Sequence, residues 1–329
     1  MIPYESSDTA LKLTREELTE LSGLSAARTW FCIAKMYAQI AATFAAAILW
    51  PHPLVWAGCF ILMARHQKSL ATLSHDGAHR RLFQSRKLND WISQICLASG
   101  VHLFADGYRR THLRHHRKPL AVDDPDIGIT GGYPITRASF YRKLMRDMCG
   151  ITYVKFVRHF IAPTKRTKGQ AKLEEGGEKS VPTWVSIASM LAWNGTICGA
   201  MAAAGHPLYY PLLWLLPQMT ALQVILRIRG IAEHAGMQPT EDQAKCTRTV
   251  RSMFEAWFFA PNNINFHLEH HLYPGIPWFN LRKVHGLLSE RGALPPENVV
   301  DSYADVLRAV IRDEPRTAAA ELEANGETP

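Results

Sequence analysis

Three short clusters of histidine form a candidate metal-binding site. Together they hold eight of the fifteen histidines in the chain. The clusters are His75-Asp-Gly-Ala-His79, His112-Leu-Arg-His115-His116 and His267-Leu-Glu-His270-His271. Residues three or four apart share one face of a helix, so each cluster presents its imidazoles side by side. Because neutral imidazole binds iron, zinc and copper, the three clusters together predict a metal centre.

The number of histidines exceeds the needs of a single ion. Tetrahedral zinc takes four ligands and an octahedral ion takes six. Two metal ions with coordination positions left open for oxygen or water suit this set better. His234, which follows Glu233 just beyond an apolar segment, is a candidate ninth ligand. The alternative interpretation of His234 is an isolated surface histidine.

Apolar residues come in blocks that are long enough to cross a membrane. The chain has 329 residues, of which 47% are hydrophobic, a composition that suits a large soluble domain or a membrane protein. About twenty apolar residues cross the hydrocarbon core as a helix. A soluble core would instead show shorter runs with clearer amphipathic periodicity. We expect four membrane spans, at residues 31–50, 53–73, 182–204 and 207–226.

The joints between the spans predict two helical hairpins. Short uncharged turns at residues 51–53 and 205–207 join the spans in pairs, while Arg and Lys gather in the segments between and beyond the hairpins. The positive-inside rule makes those segments cytoplasmic, and they contain all the candidate ligands. His52 and His206 lie at the opposite hairpin tips. The predicted fold is an all-α integral membrane protein whose cytoplasmic helical cap carries the metal site.

These boundaries divide one domain, residues 1–329, into six segments. Within them, Thr14 to Glu17 predicts a capping box that opens a short helix. We also expect an interfacial or re-entrant helix at 88–105, a helix on the membrane surface at 137–161 and a charged loop at 164–180. The segments are an N-terminal cytoplasmic part (1–30), the first hairpin (31–73), a cytoplasmic part with two clusters (74–181), the second hairpin (182–228), a cytoplasmic part with the third cluster (229–311) and a polar tail (312–329).

Several other classes of protein are disfavoured. The six cysteines are scattered and form no CxxC pair, so we expect neither a disulfide framework nor a cysteine metal site. The first thirty residues are polar and predict no signal peptide. A net charge of +8 fits a cytoplasmic face on anionic lipid. No recognisable module for reading nucleic acid is visible, so no nucleic-acid partner is predicted.

From about Ser74 to His285 the chain resembles the membrane fatty acid desaturase and hydroxylase superfamily. The order HxxxH, HxxHH, HxxHH is similar, with two predicted spans between the second and third clusters. The acidic turn after the second cluster, the separate Glu233-His234 pair and the stretch from Asn263 to Pro274 also resemble family elements. The resemblance implies nine iron ligands: His75, His79, His112, His115, His116, His234, His267, His270 and His271.

One position departs from the pattern of some acyl-CoA desaturases. They carry an asparagine four residues before the isolated histidine, where it holds a metal-bound water, and this chain has Gly230 there. That contact is lost here or is supplied by Asn263 or Asn265.

Polar residues near the clusters have expected supporting roles. Acceptors for the N–H groups of ligand imidazoles orient the rings, and the candidates for this role are Glu233, Glu269, Asp76 and the group Asp123–Asp126. Basic residues of the cytoplasmic face are expected near a substrate head group or carrier, and they are Arg109, Arg110 and Lys118.

The chemistry of the resembled family explains these residue types. Removing hydrogen from an unactivated methylene requires an oxidant made from oxygen, which a redox-inert zinc centre does not supply. The resemblance implies an oxygen-dependent acyl desaturase with two iron ions and an acyl chain of a membrane lipid as substrate. The sequence has no haem segment and no cysteine cluster for iron–sulfur ligation. A separate ferredoxin, or a cytochrome with its reductase, is therefore expected as electron donor.

Two alternative functions remain at this point. A lipid hydroxylase, a carotenoid ketolase or an alkane monooxygenase would use the same site, although the third cluster, continuing as Leu272-Tyr273-Pro274, is more similar to desaturases. A zinc hydrolase or metal transporter is the second alternative. A transporter should place ionisable residues at mid-membrane, and the four predicted spans nearly lack them. The expected location is a bacterial inner membrane rather than the endoplasmic reticulum.

Overall fold

The structure is a computed structural model that describes residues 12–161 and 180–313. Within these ranges the chain is mostly helical, which confirms the predicted helical character. The charged loop predicted at 164–180 and the polar tail predicted at 312–329 lie almost entirely outside the described residues.

The first helix, α1 (Arg15–Leu21), begins with the predicted capping box. The Thr14 hydroxyl accepts the Glu17 N–H at 3.2 Å, and the Glu17 carboxylate accepts the Thr14 N–H at 2.9 Å. These bonds satisfy amide groups that have no partner within the first turn of a helix. The Leu21 carbonyl accepts the Asn280 amide at 2.8 Å. The N-terminal segment is therefore tied to the chain beyond the third histidine cluster.

A pair of long helices follows, α2 (Ala26–Leu49) and α3 (Pro53–Ala78). Pro53 opens α3, a position where its missing N–H removes no helical hydrogen bond. Met36 of α2 and Met63 of α3 are buried in one hydrophobic core between the helices. α3 continues beyond the span predicted to end at residue 73. It therefore carries the first histidine cluster on the same rigid helix that packs against α2.

Within the described part of the chain, three helices are long and apolar enough to cross a membrane. They are Ala26–Leu49, Thr183–Ala203 and Pro211–His234, and they coincide with the first, third and fourth predicted spans. α3 does not meet this criterion, because its second half contains Arg65, His66 and Lys68. Their side chains bond inside the protein; for example, His66 Nε2 lies 3.1 Å from Thr43 Oγ1 of α2. The three apolar helices fit a membrane protein.

The segment between α3 and the second cluster is built from three kinds of helical turn. α4 (Arg86–Ile92) is followed by a π turn (Ser93–Leu97) and a 3-10 turn (Ala98–Val101). They replace the single helix that the sequence predicts at 88–105. Leu97 and Val101 are buried in the core that α2 and α3 share. This segment therefore packs against α3, the helix that carries the first cluster.

The predicted surface helix at 137–161 is divided into two. α7 (Arg137–Met148) and α8 (Ile151–Ile161) are separated at Gly150, whose φ is +72°. Glycine adopts this left-handed conformation without the steric cost that other residues pay, and it commonly ends a helix. Before α7 lie α5 (Ala105–Arg117), which carries the second cluster, and the short α6 (Ile127–Thr130).

The second half of the described chain is also helical. Two 3-10 turns connect the later helices, at Trp278–Asn280 and Pro296–Asn298. The helices of this half are α9 (Thr183–Ala203), α10 (Leu216–Met219), α11 (Ala221–His234), α12 (Gln243–Cys246), α13 (Met253–Phe259), α14 (His267–Leu272), α15 (Leu281–Glu290) and α16 (Tyr303–Val310). A π turn at Pro211–Leu215 precedes α10.

Beside its helices, the chain contains a few very short strands that the sequence does not predict. Four strands of two residues each occur among the described residues, and they pair in parallel. Each pair joins segments that are distant in sequence, so two residues give no local periodicity by which to predict it. The pairs are β1 (Ile135–Thr136) with β4 (Ile311–Arg312), and β2 (Thr249–Val250) with β3 (Val299–Val300).

Gly77 lies inside the first cluster, where α3 crosses the π turn. A β-carbon at Gly77 would lie 2.2 Å from Ser93 Oγ and 2.7 Å from Ser93 Cβ. Distances this short force one of the two segments to move. The absence of a side chain at Gly77 therefore permits the close packing that fixes the end of α3.

We expect Gly77→Ala to destabilise the protein by about 1–3 kcal/mol, because the added methyl overpacks this contact. Combining it with Ser93→Gly should recover part of the loss, since both clashing atoms are then removed. Gly58→Ala, in the same helix, is the matched control, because no heavy atom lies within 4 Å of its added β-carbon. Thermal unfolding in one detergent measures all variants. Equal midpoints for Gly77→Ala and Gly58→Ala would contradict the prediction.

Candidate metal centre

Four helices supply the predicted histidine ligands. α3 and its C-terminal cap carry the first cluster, α5 the second and α14 the third, while His234 ends α11. The structure brings all nine imidazoles into two groups, within each of which the potential ligand atoms lie within 4.8 Å of one another. The five-histidine group contains His75, His79, His112, His116 and His270. The four-histidine group contains His115, His234, His267 and His271.

Adjacent histidines of one cluster belong to different groups. His115 and His116 follow each other on α5, yet they contribute to the four- and the five-histidine group respectively. Successive side chains on an α-helix, which has 3.6 residues per turn, point about 100° apart. The rings of His116 and His271, one from each group, stack with centroids 4.0 Å apart. The two groups are therefore neighbours, as a two-metal centre requires.

Most of the rings direct Nε2 towards the middle of their group. Two nitrogens that bind one ion at right angles, each about 2.1 Å from it, lie about 3.0 Å apart. Tetrahedral angles would separate them by about 3.4 Å. The observed nitrogens are therefore close enough to share one ion. The Nε2–Nε2 distances are 2.9 Å for His79–His112, 3.0 Å for His112–His116, 3.1 Å for His116–His270, 3.2 Å for His115–His234 and 3.0 Å for His234–His267.

The buried nitrogens have the properties of metal donors. Both ring nitrogens of His75, and Nε2 of His271, are buried without a hydrogen-bond partner. Such atoms are costly unless something binds them, and a metal ion would. Burial, with the nearby Arg81 charge, lowers the pKa of His79 to about 3. Burial and the neighbouring His79 also lower the pKa of His270. These imidazoles are therefore neutral, which is the form that binds metal.

Asp124 orients His115 from the outer side. Its carboxylate oxygens lie 2.9 and 3.1 Å from His115 Nδ1, and they also accept the N–H groups of Leu120 at 2.7 Å and Asp126 at 2.9 Å. Burial would lower the pKa of His115, but the bond to Asp124 and the nearby carboxylate charges raise it overall. A carboxylate that receives Nδ1–H leaves Nε2 for the metal. Within the predicted acidic group, Asp124 is the buried member.

Two further acceptors orient ligand rings, and the sequence analysis missed both. Gln243 Oε1 lies 2.8 Å from His271 Nδ1, and the Cys246 carbonyl oxygen lies 2.8 Å from His234 Nδ1. Both belong to α12, which has no motif of its own. A backbone carbonyl gives no signal in the sequence. The only sequence signal for Gln243 is its position between His234 and the third cluster. Tyr108, which stacks on His112 with ring centroids 5.3 Å apart, was also missed.

The two predicted glutamate acceptors have other partners. One oxygen of Glu233 contacts Arg229, and the other lies 3.5 Å from Nε2 of His267. Glu233 therefore faces the inner nitrogen of this ligand and not its outer N–H. Glu269 lies 2.5 Å from Nδ1 of His285, a histidine outside both groups, and it also accepts the Thr249 hydroxyl. Glu269 thus fixes α14 against α15 and β2.

Three other predicted supporting residues also bond backbone groups. One carboxylate oxygen of Asp76 accepts the Trp278 N–H at 3.0 Å, and the other lies 3.5 Å from Nδ1 of the ligand His75. Asn263 donates to the Trp278 carbonyl at 3.3 Å, and Asn265 donates to the Val250 carbonyl at 2.8 Å. These bonds hold the chain on either side of α14 in place.

Gly230 packs against α6. A β-carbon there would lie 2.8 Å from Ile129 Cγ2, so the packing leaves no room for the asparagine of the resembled pattern.

The remaining predicted residues lie outside the two groups. Arg109 is half-buried, with its guanidinium 3.6 Å from Asp90, whereas Lys118 caps α5 and is exposed. Arg110 is partly buried on α5. His102 hydrogen-bonds with the Tyr153 hydroxyl at 2.7 Å. Nothing in this placement shows a role for these basic residues in binding a head group.

A sequence profile of the fatty acid desaturase family matches residues 51–301, which is more than half of the chain. The chain belongs to the fatty acid desaturase family. The match includes all nine histidines of the two groups.

Several curated desaturases are similar to this family member. Dihydrorhizobitoxine desaturase of Bradyrhizobium elkanii is 28% identical over 270 residues, which cover 76% of this chain and 72% of the relative. Fatty acid desaturase 3 of Bos taurus is 24% identical over 246 residues, covering 68% and 53%. The sn-1 oleoyl-lipid 12-desaturase of a Synechocystis species is 23% identical over 256 residues, covering 73% and 68%. The chain spans about half the length of the Bos taurus relative.

We expect Asp124→Asn to weaken metal binding by this family member about 10- to 100-fold, because His115 loses the acceptor that orients it. Asp123→Asn is the matched control, since that neighbouring carboxylate is exposed. Metal content after dialysis against a graded series of chelator concentrations measures the effect. Identical metal retention by the two variants would show that Asp124 does not orient the ligand.

We expect His234→Ala to lose roughly half of the bound metal, because this residue joins His115 to His267 in the four-histidine group. His102→Ala should retain all of it, since His102 lies outside both groups. Elemental analysis of the purified variants gives the ratio of metal to protein. The alternative interpretation of His234 as a surface histidine is wrong, because its side chain is buried. A normal metal content in His234→Ala would show that this buried residue does not bind metal.

Proposed function

We propose that this family member introduces a C=C bond into an acyl chain of a membrane lipid, using molecular oxygen and two iron ions bound by the nine histidines. The observation that carries the proposal is the pair of adjacent buried groups with five and four imidazoles. An octahedral ion accepts six ligands, so both groups leave positions open. Open positions distinguish a catalytic metal site from a structural one.

The donor set supports iron over zinc. A structural zinc site is closed by four ligands, and the five-histidine group exceeds that number. When bound here, iron would supply the redox chemistry with oxygen that zinc lacks.

The protein groups position and protect this chemistry. Seven of the nine ligand histidines are buried, which keeps water away from most of the site. Asp124, Gln243 and the Cys246 carbonyl hold Nδ1 of three ligands and so direct Nε2 of each towards its group. Arg229 offsets the charge of Glu233 beside His267.

The substrate assignment rests on the apolar helices and on the relatives. The names of the relatives agree on desaturation but differ on the substrate, and the Synechocystis relative is named for an oleoyl lipid. Three long apolar helices favour a substrate that resides in the membrane. A lipid hydroxylase, carotenoid ketolase or alkane monooxygenase is the alternative, because the same metal site would serve it.

The proposed topology has four membrane helices in two hairpins, with α3 as the second crossing. The polar side chains in the second half of α3 are compatible with it, since Arg65 and His66 bond to groups within the protein. The basic segments between the hairpins favour a cytoplasmic metal site. The expected setting is a bacterial inner membrane. A separate ferredoxin or cytochrome would deliver the electrons.

Expression in a host with simple lipids tests the reaction. We expect a new unsaturated fatty acid among the methyl esters of the host lipids, detected by mass spectrometry. His270→Ala, which removes a ligand of the five-histidine group, should give none, whereas His206→Ala should match the wild type. Detection of a hydroxylated product without any new double bond would favour the hydroxylase alternative. Purified protein with zinc and no iron-dependent activity would exclude the proposal.

A further inference from the structure

A basic cleft lies beside the five-histidine group. It has a volume of about 610 Å³ and opens between the start of α2, the end of α3 and α5. Four arginines line it, and apolar side chains including Leu24, Phe83 and Leu113 form the rest of its wall. The arginines are Arg80, Arg81, Arg86 and Arg109.

The positive charge of the cleft is only partly offset. Asp90 accepts hydrogen bonds from Arg80 and lies 3.6 Å from Arg109. Asp106 is the other carboxylate whose charge acts on Arg109. Arg86 is exposed at the start of α4 and forms no ion pair with the described residues. The cleft therefore attracts an anionic partner.

The contact between the cleft and the metal centre is limited to one ligand. Of the nine histidines, only His79 lines the cleft. Its Nε2 lies 2.9 Å from that of His112, inside the five-histidine group. A substrate carbon must reach the open coordination positions, whereas an electron needs only the outer edge of a ligand ring. The position of His79 therefore suits electron delivery better than substrate binding.

We propose that an acidic one-electron carrier protein docks over this cleft and reduces the metal centre through His79. The inference rests on the proposed function. Desaturation reduces one O₂ to two waters, which takes four electrons and four protons. The two C–H bonds that break supply two of each, so the carrier must supply two electrons and the solvent two protons. Arginines around a small apolar wall match the charged, low-area contacts of transient electron-transfer pairs.

The test uses the full-length, iron-loaded protein in lipid nanodiscs and an acidic plant-type [2Fe–2S] ferredoxin with its reductase. Arg86→Glu should slow ferredoxin-driven loss of the ferric absorbance about tenfold at low salt, because reversing a rim charge lowers the association rate. Added salt should shrink the difference. Reduction by photoreduced deazaflavin, a small neutral reductant, should be unchanged. Glutamate is favourable in the first turn of a helix, so the variant is expected to fold.

Lys283→Glu is the matched control. Lys283 is exposed on α15 and does not line the cleft, and the variant has the same net charge as Arg86→Glu. It should be reduced by ferredoxin at the wild-type rate. A stronger cleft variant adds Gln84→Glu to Arg86→Glu, since Gln84 is also exposed and lines the cleft. It should slow reduction further.

Three results would overturn the docking proposal. The first is equal ferredoxin-driven reduction of Arg86→Glu and the wild type. The second is failure of the ferredoxin to reduce the wild type. The third is a higher KM for the acyl substrate in Arg86→Glu with reduction unchanged, which would assign the cleft to a substrate head group. Failure of the proposed function looks different: the wild type would accept electrons and respond to Arg86→Glu, yet would form no unsaturated product.

Discussion

Nine imidazole rings lie in contact in a buried volume, with neighbouring nitrogens only 2.9–3.2 Å apart. Protonated rings would repel each other at these distances, so the arrangement requires neutral rings whose inner nitrogens have something to bind. Burial lowers the pKa of most of them and removes water as a competing partner. The helices, the acceptors around Nδ1 and the close approach at Gly77 are all needed to hold such a set together.

α3 connects the membrane-spanning part of the chain to this centre. Its first half packs apolar residues such as Met63 against α2, and its end carries His75 and His79. One rigid helix thus fixes the position of the first cluster relative to the pair formed by α2 and α3. The polar residues in its second half are buried and bonded within the protein.

The surroundings of the metal centre differ on its two sides. On one side, Asp124 and α12 supply acceptors that hold ligand rings in fixed orientations. On the other side, the arginine-lined cleft reaches the edge of His79. Separate routes for electrons and substrate would let a carrier dock without displacing the acyl chain.

The sequence alone determined the helical character, three of the apolar helices, the capping box at Thr14 and the residue types of a metal centre, because each depends on local spacing or composition. It also indicated all nine histidines that the structure gathers. Only the tertiary structure decided that His115 and His116 belong to different groups, that Gln243 and the Cys246 carbonyl orient ligands, and that Glu269 bonds His285. Those facts depend on contacts between segments far apart in sequence, about which local spacing carries no information.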